Sequence, residues 1–150
     1  MTRKRKAPVP VQGQCKECEP GSRRPVFRPG PRCATHLREY RIKNAQRAHA
    51  AWILATYGIT AEEYWAIYEA QGGVCYICER AKGKGPDGKG RGKMLSVDHD
   101  HKTGEVRGLL CTPCNRDVLG HLRDSVEALT RAVTYVTDPP ARKVLTRLRS

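Results

Sequence analysis

"MLSVDHDHKTGEVRGLLCTPCN", residues 94–115, sets two Asp-His pairs back to back and then, after a short gap, a Cys-x-x-Cys that runs into Asn115. Asp98, His99, Asp100 and His101 are too polar to fill a core, yet apolar segments enclose them on both sides. Residues 94–97 read as a short strand, Lys102-Thr103-Gly104-Glu105 as a turn and residues 106–110 as the returning strand, with a helix past Cys114. The stretch therefore predicts a hairpin leading into a helix. Successive strand side chains face opposite ways, so Asp98 and His99 can serve one site only if the strand ends or bulges between them.

The cysteines explain half of this pattern. Between Cys75-x-x-Cys78 and Cys111-x-x-Cys114 lie 32 residues, enough for a loop and the hairpin. Four thiolates favour a closed structural Zn2+; unmetallated thiols and an iron–sulfur cluster are the alternatives that spacing leaves open. Zinc there would pin the helix start to the hairpin base and fix Asn115 near Asp98 and His99. A structural site keeps no open coordination position, so any chemistry must lie beside it. Asp98 and Asn115 offer two hard oxygen ligands and leave most of a divalent shell to water and phosphate, a set that suits Mg2+. His99 brings an imidazole, a side chain that can stand neutral and take a proton from water. Asp100 and His101 are then supporting or substrate-facing. A solvated polar hairpin tip is the bland alternative.

The rest of the chain agrees with metal-dependent folding. Of 150 residues, 39% are hydrophobic and 6% aromatic, with one Phe, so the core must be small and needs help. All seven cysteines fall in Cys-x-x-Cys or Cys-x-x-His units, which argues against a disulfide framework and for thiolate metal sites in a reducing compartment. Cys15-x-x-Cys18, then fourteen residues, then Cys33-x-x-His36 form a second four-ligand set, read as a zinc knuckle. The span between carries four prolines, two glycines and Arg23, Arg24, Arg28 and Arg32, so it has little reason to fold without metal. Chance pairing is the alternative.

The net charge of +13 is uneven: residues 1–47 hold 13 Lys and Arg against 3 acids, and the other 103 residues hold 15 against 12. A basic arm beside a near-neutral body is an electrostatic footprint for a polyanion, with nucleic acid preferred over a membrane surface or a merely solubilising tail. Arg23, Arg24, Arg28, Arg38 and Arg41 are the candidate phosphate contacts. No apolar stretch follows the basic start and no run is long enough to span a membrane, so the expectation is a soluble, intracellular protein.

Residues 1–14 read as a disordered arm. Residues 37–57 read as a helix with Ala45, Ala48, Trp52 and Ala55 at helical spacing, ended by Gly58. Thr60-x-x-Glu63 is a capping box for a second helix with Tyr64, Ile67 and Tyr68 on a buried stripe, stopped by Gly72-Gly73. The Gly- and Lys-rich residues 79–93 read as a mobile loop. A last helix starts near Asp124, carries Val126, Leu129, Val133 and Val136 on one face and ends at Asp138-Pro139-Pro140, leaving a basic tail.

"GGVCYIC", "SVDHDHKTGEVRGLLCTPCN" and the following "LG" resemble the recombination endonuclease VII family of phage nucleases, within the HNH (His-metal finger) group, over about residues 58–137. The resemblance implies an α+β fold: a small zinc-braced ββα-metal nuclease domain flanked by helices, here with an N-terminal zinc knuckle. The expected organisation is arm, knuckle and helix over residues 1–57, nuclease domain over 58–137 and basic tail over 138–150. It implies Asp98 and Asn115 as ligands of catalytic Mg2+ (or Mn2+), His99 as general base with His101 assisting, and Cys75, Cys78, Cys111 and Cys114 around structural zinc. The implied reaction hydrolyses a DNA phosphodiester to 5′-phosphate and 3′-hydroxyl ends, in the host cytoplasm if the protein is phage-encoded. The family's acid three places after the Asn is Val118 here, with Asp117 one place earlier, so simple nicking or double-strand cleavage fits better than junction resolution. The competing classes are a non-catalytic zinc protein that binds nucleic acid and an RNA-binding zinc module. Neither has a need for the trio Asp98, His99 and Asn115.

Overall fold

Val9–Val11 (β1), Val26–Arg28 (β2) and Arg32–Cys33 (β3) pair into a three-stranded antiparallel sheet in the order β1-β2-β3. The computed structural model describes residues 9–11, 13–22, 24–28, 30–88 and 92–149 and separates into the units Met1–Thr60 and Ala61–Ser150. The expected disordered arm over residues 1–14 is thus corrected in part. Residues 1–8 and 12 lie outside the described residues, but Val9–Val11 is a strand. It lies at the sheet edge, where Pro10 forfeits no interior ladder bond. Val26 is buried with Cys15 and Cys33, so the Pro-rich span supplies a small apolar core of its own.

Ala34–Tyr57 forms α1, closed by Gly58 at φ 72°, whose N–H donates to the Leu54 carbonyl at 3.0 Å. Its expected apolar stripe is not the sheltered one. Ala45, Ala48, Trp52 and Ala55 are exposed, whereas Ile53 is fully buried and Ile42, Gln46, His49 and Tyr57 are partly so. Alanines occur all round this helix, so periodicity alone could not choose its inner face.

In the second unit, Ala61–Ala70 (α2) begins one residue after Thr60, as the capping box predicts, and stops at Gly72 and Gly73, with φ 67° and 73°. Tyr64 is fully buried and its hydroxyl donates to the Leu95 carbonyl at 2.9 Å; Tyr68 reaches the Gly83 carbonyl at 3.1 Å. Part of the expected mobile loop is therefore packed. Val74 bridges Lys82, and Gly83 is buried so tightly that a Cβ there would stand 2.8 Å from Leu95 Cγ. Residues 89–91 of that loop lie outside the described residues.

Ser96–His99 (β4) and Val106–Leu110 (β5) form the expected hairpin, the first strand starting two residues later than the sequence suggests. Leu95, Val97, Leu109 and Leu110 are buried, as are Tyr64, Cys75 and Cys114. The helix past Cys114 is a π-helix, Pro113–Gly120, with its proline in the first turn, where no intrahelical N–H is lost. Val126–Thr137 (α3) follows, capped by the Ser125 hydroxyl, which accepts from the Ala128 N–H at 3.1 Å. The residues expected as a basic tail include a further helix, Pro140–Arg149 (α4). The architecture mixes helices with small antiparallel sheets, and among the described residues no helix is long and apolar enough to cross a membrane.

Candidate functional site

Two cages of metal-ligand atoms stand out. Cys15, Cys18, Cys33 and His36 converge, as do Cys75, Cys78, Cys111 and Cys114, with the ligand atoms of each set within 4.8 Å of one another. A tetrahedral ion with metal–sulfur bonds of about 2.3 Å needs sulfurs roughly 3.8 Å apart. Cys18 and Cys33 have theirs 3.8 Å apart, Cys78 and Cys111 3.9 Å. His36 turns Nδ1 inward, 3.3 Å from Cys15 Sγ and 3.4 Å from Cys18 Sγ. All seven thiols are free, and cages this small suit one ion rather than a cluster of several irons. Burial opposes ionisation of Cys15, but backbone N–H groups of Cys33 and Glu17 and the His36 ring outweigh it and bring the thiol to about 6. N–H groups of Ala81 and Arg80 lower Cys78 to about 6, whereas burial pushes Cys114 up. Both cages are consistent with structural zinc.

Beside the four-sulfur cage, the hairpin register shifts between Asp98 and His99: Asp98 faces Gly108, but His99 faces Val106. Arg107 is the unpaired residue of the bulge, so the extra residue lies on β5 opposite the step from Asp98 to His99, and β4 ends at His99. Among the described residues Asp98 is the buried charged one, 6% exposed, and Arg107 holds it with both arms of its fork. Nε donates to Oδ2 at 2.8 Å and Nη2 to Oδ1 at 3.1 Å, and the pairing pushes the guanidinium pKa further up. His99 is partly buried, its ring 4.7 Å from that of exposed His101. Asp100 builds the turn by accepting from the N–H groups of Lys102 and Thr103 at 2.8 and 2.9 Å.

Asn115 lies near the start of the π-helix, its N–H on the Cys111 carbonyl at 3.0 Å and its Nδ2 3.5 Å from the Val97 carbonyl. The helix start that carries Cys114 is thus tied to β4 one residue before Asp98. Asn115 lines an open cleft of about 700 Å³ with His101, His121, Asp117 and Asp124. Asp124 follows the π-helix on backbone that L-residues rarely adopt: Arg123 and Asp124 have φ 51° and 54°. Each such residue costs on the order of 1 kcal/mol or more, so the neighbouring contacts must hold it there. Its Oδ2 lies 3.3 Å from Arg107 Nη2 and 3.9 Å from His101 Nε2.

The family model described as recombination endonuclease VII matches residues 50–138. The chain belongs to the recombination endonuclease VII family. The Gene 59 protein of Mycobacterium phage D29 is 61% identical over 117 residues, covering 78% of this chain and 67% of the relative. The Gene 59 protein of Mycobacterium phage L5 is 58% identical over 117 residues, with the same coverage of 78% and 67%. Membership supports nuclease action on DNA.

Within this endonuclease VII family member, sequence reasoning missed Arg107, Asp124 and His121. Asp124 reads as a helix start because it precedes the periodic run at Val126, yet Ser125 caps α3 and frees Asp124 for Arg107. Arg107 sits in an apolar strand run, where its register could not be read without the bulge. Among the candidate phosphate contacts, Arg24, Arg38 and Arg41 are exposed. Arg23 and the Arg28 side chain lie outside what is described. Arg32 is committed locally: Nε donates to Glu17 Oε1 at 2.7 Å and the guanidinium lies 3.7 Å over the Tyr40 ring.

Proposed function

We propose that this chain is a phage-encoded HNH-type endonuclease that cuts DNA with one divalent cation, Mg2+ or Mn2+, and acts in the host cytoplasm. The observation that carries the reading is the bulge on β5 opposite Asp98–His99, where β4 ends, together with the four-sulfur cage. A cage that braces the strand against the Asn115 helix start supports a site held within the tolerance that catalysis needs. The residues fit a hard cation: Asp98 brings a buried anionic carboxylate, and Asn115, with Nδ2 toward the Val97 carbonyl, turns Oδ1 the opposite way. When bound, the ion would neutralise charge building on the phosphate and on the departing 3′ oxygen. His99 takes a proton from the attacking water, whose oxygen bonds to phosphorus as the bond from phosphorus to the 3′ oxygen breaks. The ends left are 5′-phosphate and 3′-hydroxyl. His101 assists from 4.7 Å away. Arg23, Arg24, Arg28, Arg38 and Arg41 hold the backbone of the DNA, and the kinship with two phage proteins supports a phage origin.

Supercoiled plasmid incubated with zinc-loaded protein tests this. Conversion to nicked or linear product with Mg2+ or Mn2+, and none without, is expected. Binding without cutting under every metal condition would favour a non-catalytic zinc protein that binds nucleic acid.

A further inference from the structure

Arg107 is left unpaired by the shift in hairpin register and spans two carboxylates from different parts of the unit. Its fork closes on Asp98, while Nη2 already lies 3.3 Å from Asp124 Oδ2. Asp124 lines both the cleft that holds Asn115 and a second one that holds Arg107. The strained backbone at Arg123 and Asp124 is what keeps that second carboxylate within reach. A buried carboxylate cannot take a guanidinium and a divalent cation together without repulsion between the two cations. Without any cation it cannot stay charged at low cost.

We propose that Arg107 is a positioning residue that guards Asp98: it neutralises the carboxylate until a divalent cation arrives, then passes to Asp124. The inference rests on the reading of Asp98 as a cation ligand. Asp124 is the acceptor that makes the exchange possible, since a guanidinium leaving Asp98 would otherwise give up its partner as the ion enters. The hairpin need not move, because one arm of the fork lies against the acceptor beforehand.

Mn2+ binding to the zinc-loaded full chain, followed by the electron paramagnetic resonance of free Mn2+, tests the exchange without relying on activity. Arg107→Ala should bind Mn2+ more tightly than wild type, and Asp124→Asn more weakly, each by on the order of tenfold. The melting temperature of Arg107→Ala should also rise more with Mn2+ than that of wild type, because the ion replaces the missing partner of Asp98. If Arg107→Ala is too unstable to purify, Arg107→Lys, which keeps the charge but not the fork, should still bind more tightly than wild type. Binding abolished by Asp98→Asn but unchanged by the Arg107 and Asp124 substitutions overturns the exchange and leaves the metal reading intact. Binding that survives Asp98→Asn overturns both.

Discussion

Gln71 pairs with both backbone groups of Leu109: its Nε2 donates to the Leu109 carbonyl at 2.8 Å and its Oε1 accepts the Leu109 N–H at 2.8 Å. One side-chain amide thus completes the outer edge of β5 as a third strand would, and Nε2 also donates to the Val74 carbonyl at 3.1 Å. Leu109 is fully buried. The neighbouring Gly108 keeps the seat open, since a Cβ there would meet Gln71 Oε1 at 2.9 Å.

Gln71→Ala should destabilise the zinc-loaded protein by roughly 2–4 kcal/mol, because the Leu109 N–H and the Val74 carbonyl lose their partner, while the Leu109 carbonyl keeps the Tyr76 N–H at 3.3 Å. Gln71→Glu should not rescue it, since a carboxylate oxygen would face the Leu109 carbonyl. Chemical denaturation at fixed zinc measures both, and a loss below about 0.5 kcal/mol for the alanine variant would show the edge to be held otherwise.

Gly83→Ala should cost about 1–3 kcal/mol by overpacking. The added methyl would press on Leu95 Cγ at 2.8 Å and on Tyr68 Cε2 at 3.1 Å, and those groups support the strand leading to Asp98. The same denaturation experiment reads this, and an unchanged midpoint would mean that the loop shifts freely.

Purified protein should hold two zinc ions per chain, one for each cage. Cys75→Ser should strip one ion and unfold the hairpin, because binding energy at such a site is folding energy. Cys15→Ser should strip the other while plasmid cleavage persists. Elemental analysis with circular dichroism separates the two, and iron in place of zinc would overturn both assignments.

His99→Ala should lower the cleavage rate by on the order of a hundred-fold to ten-thousand-fold, with zinc content and DNA affinity retained. His101→Ala should lose activity only in part, since that ring is exposed and reaches Asp124 at 3.9 Å. Single-turnover cleavage decides between them: a dead His101 variant beside an active His99 variant would move the base to the other ring.

Replacing Arg38 and Arg41 together with Ala should weaken DNA binding uniformly across sequences and reduce the salt slope by about 0.9 for each phosphate no longer neutralised. Affinity measured across a salt series checks this, and an unchanged slope would shift the DNA surface away from α1.

Spacing was enough to read the cages, because a tetrahedral ion needs four short-range ligands in pairs, and Cys-x-x-Cys or Cys-x-x-His supplies two of them wherever the chain runs. The hairpin was legible for a similar reason: Lys102-Thr103-Gly104-Glu105 is turn chemistry, and Val106–Leu110 matches the expected return strand residue for residue. The inner face of α1 was not legible, because alanines make several faces equivalent, and neither was β1, whose pairing with β2 joins Val11 to the distant Val26.

Asp98, His99 and Asn115 stand out in the sequence as a candidate set, since no core or cap asks for them together. Only the tertiary structure decided what stands against them. The unpaired Arg107 on Asp98 depends on a one-residue shift in strand register, and Asp124 depends on two strained residues after a π-helix. Local propensity records neither, because both arise where long-range contacts outweigh the preference of the individual residue. Ligand identity travels with short spacing along the chain, but the partner of a buried charge is chosen by whichever segments folding brings beside it.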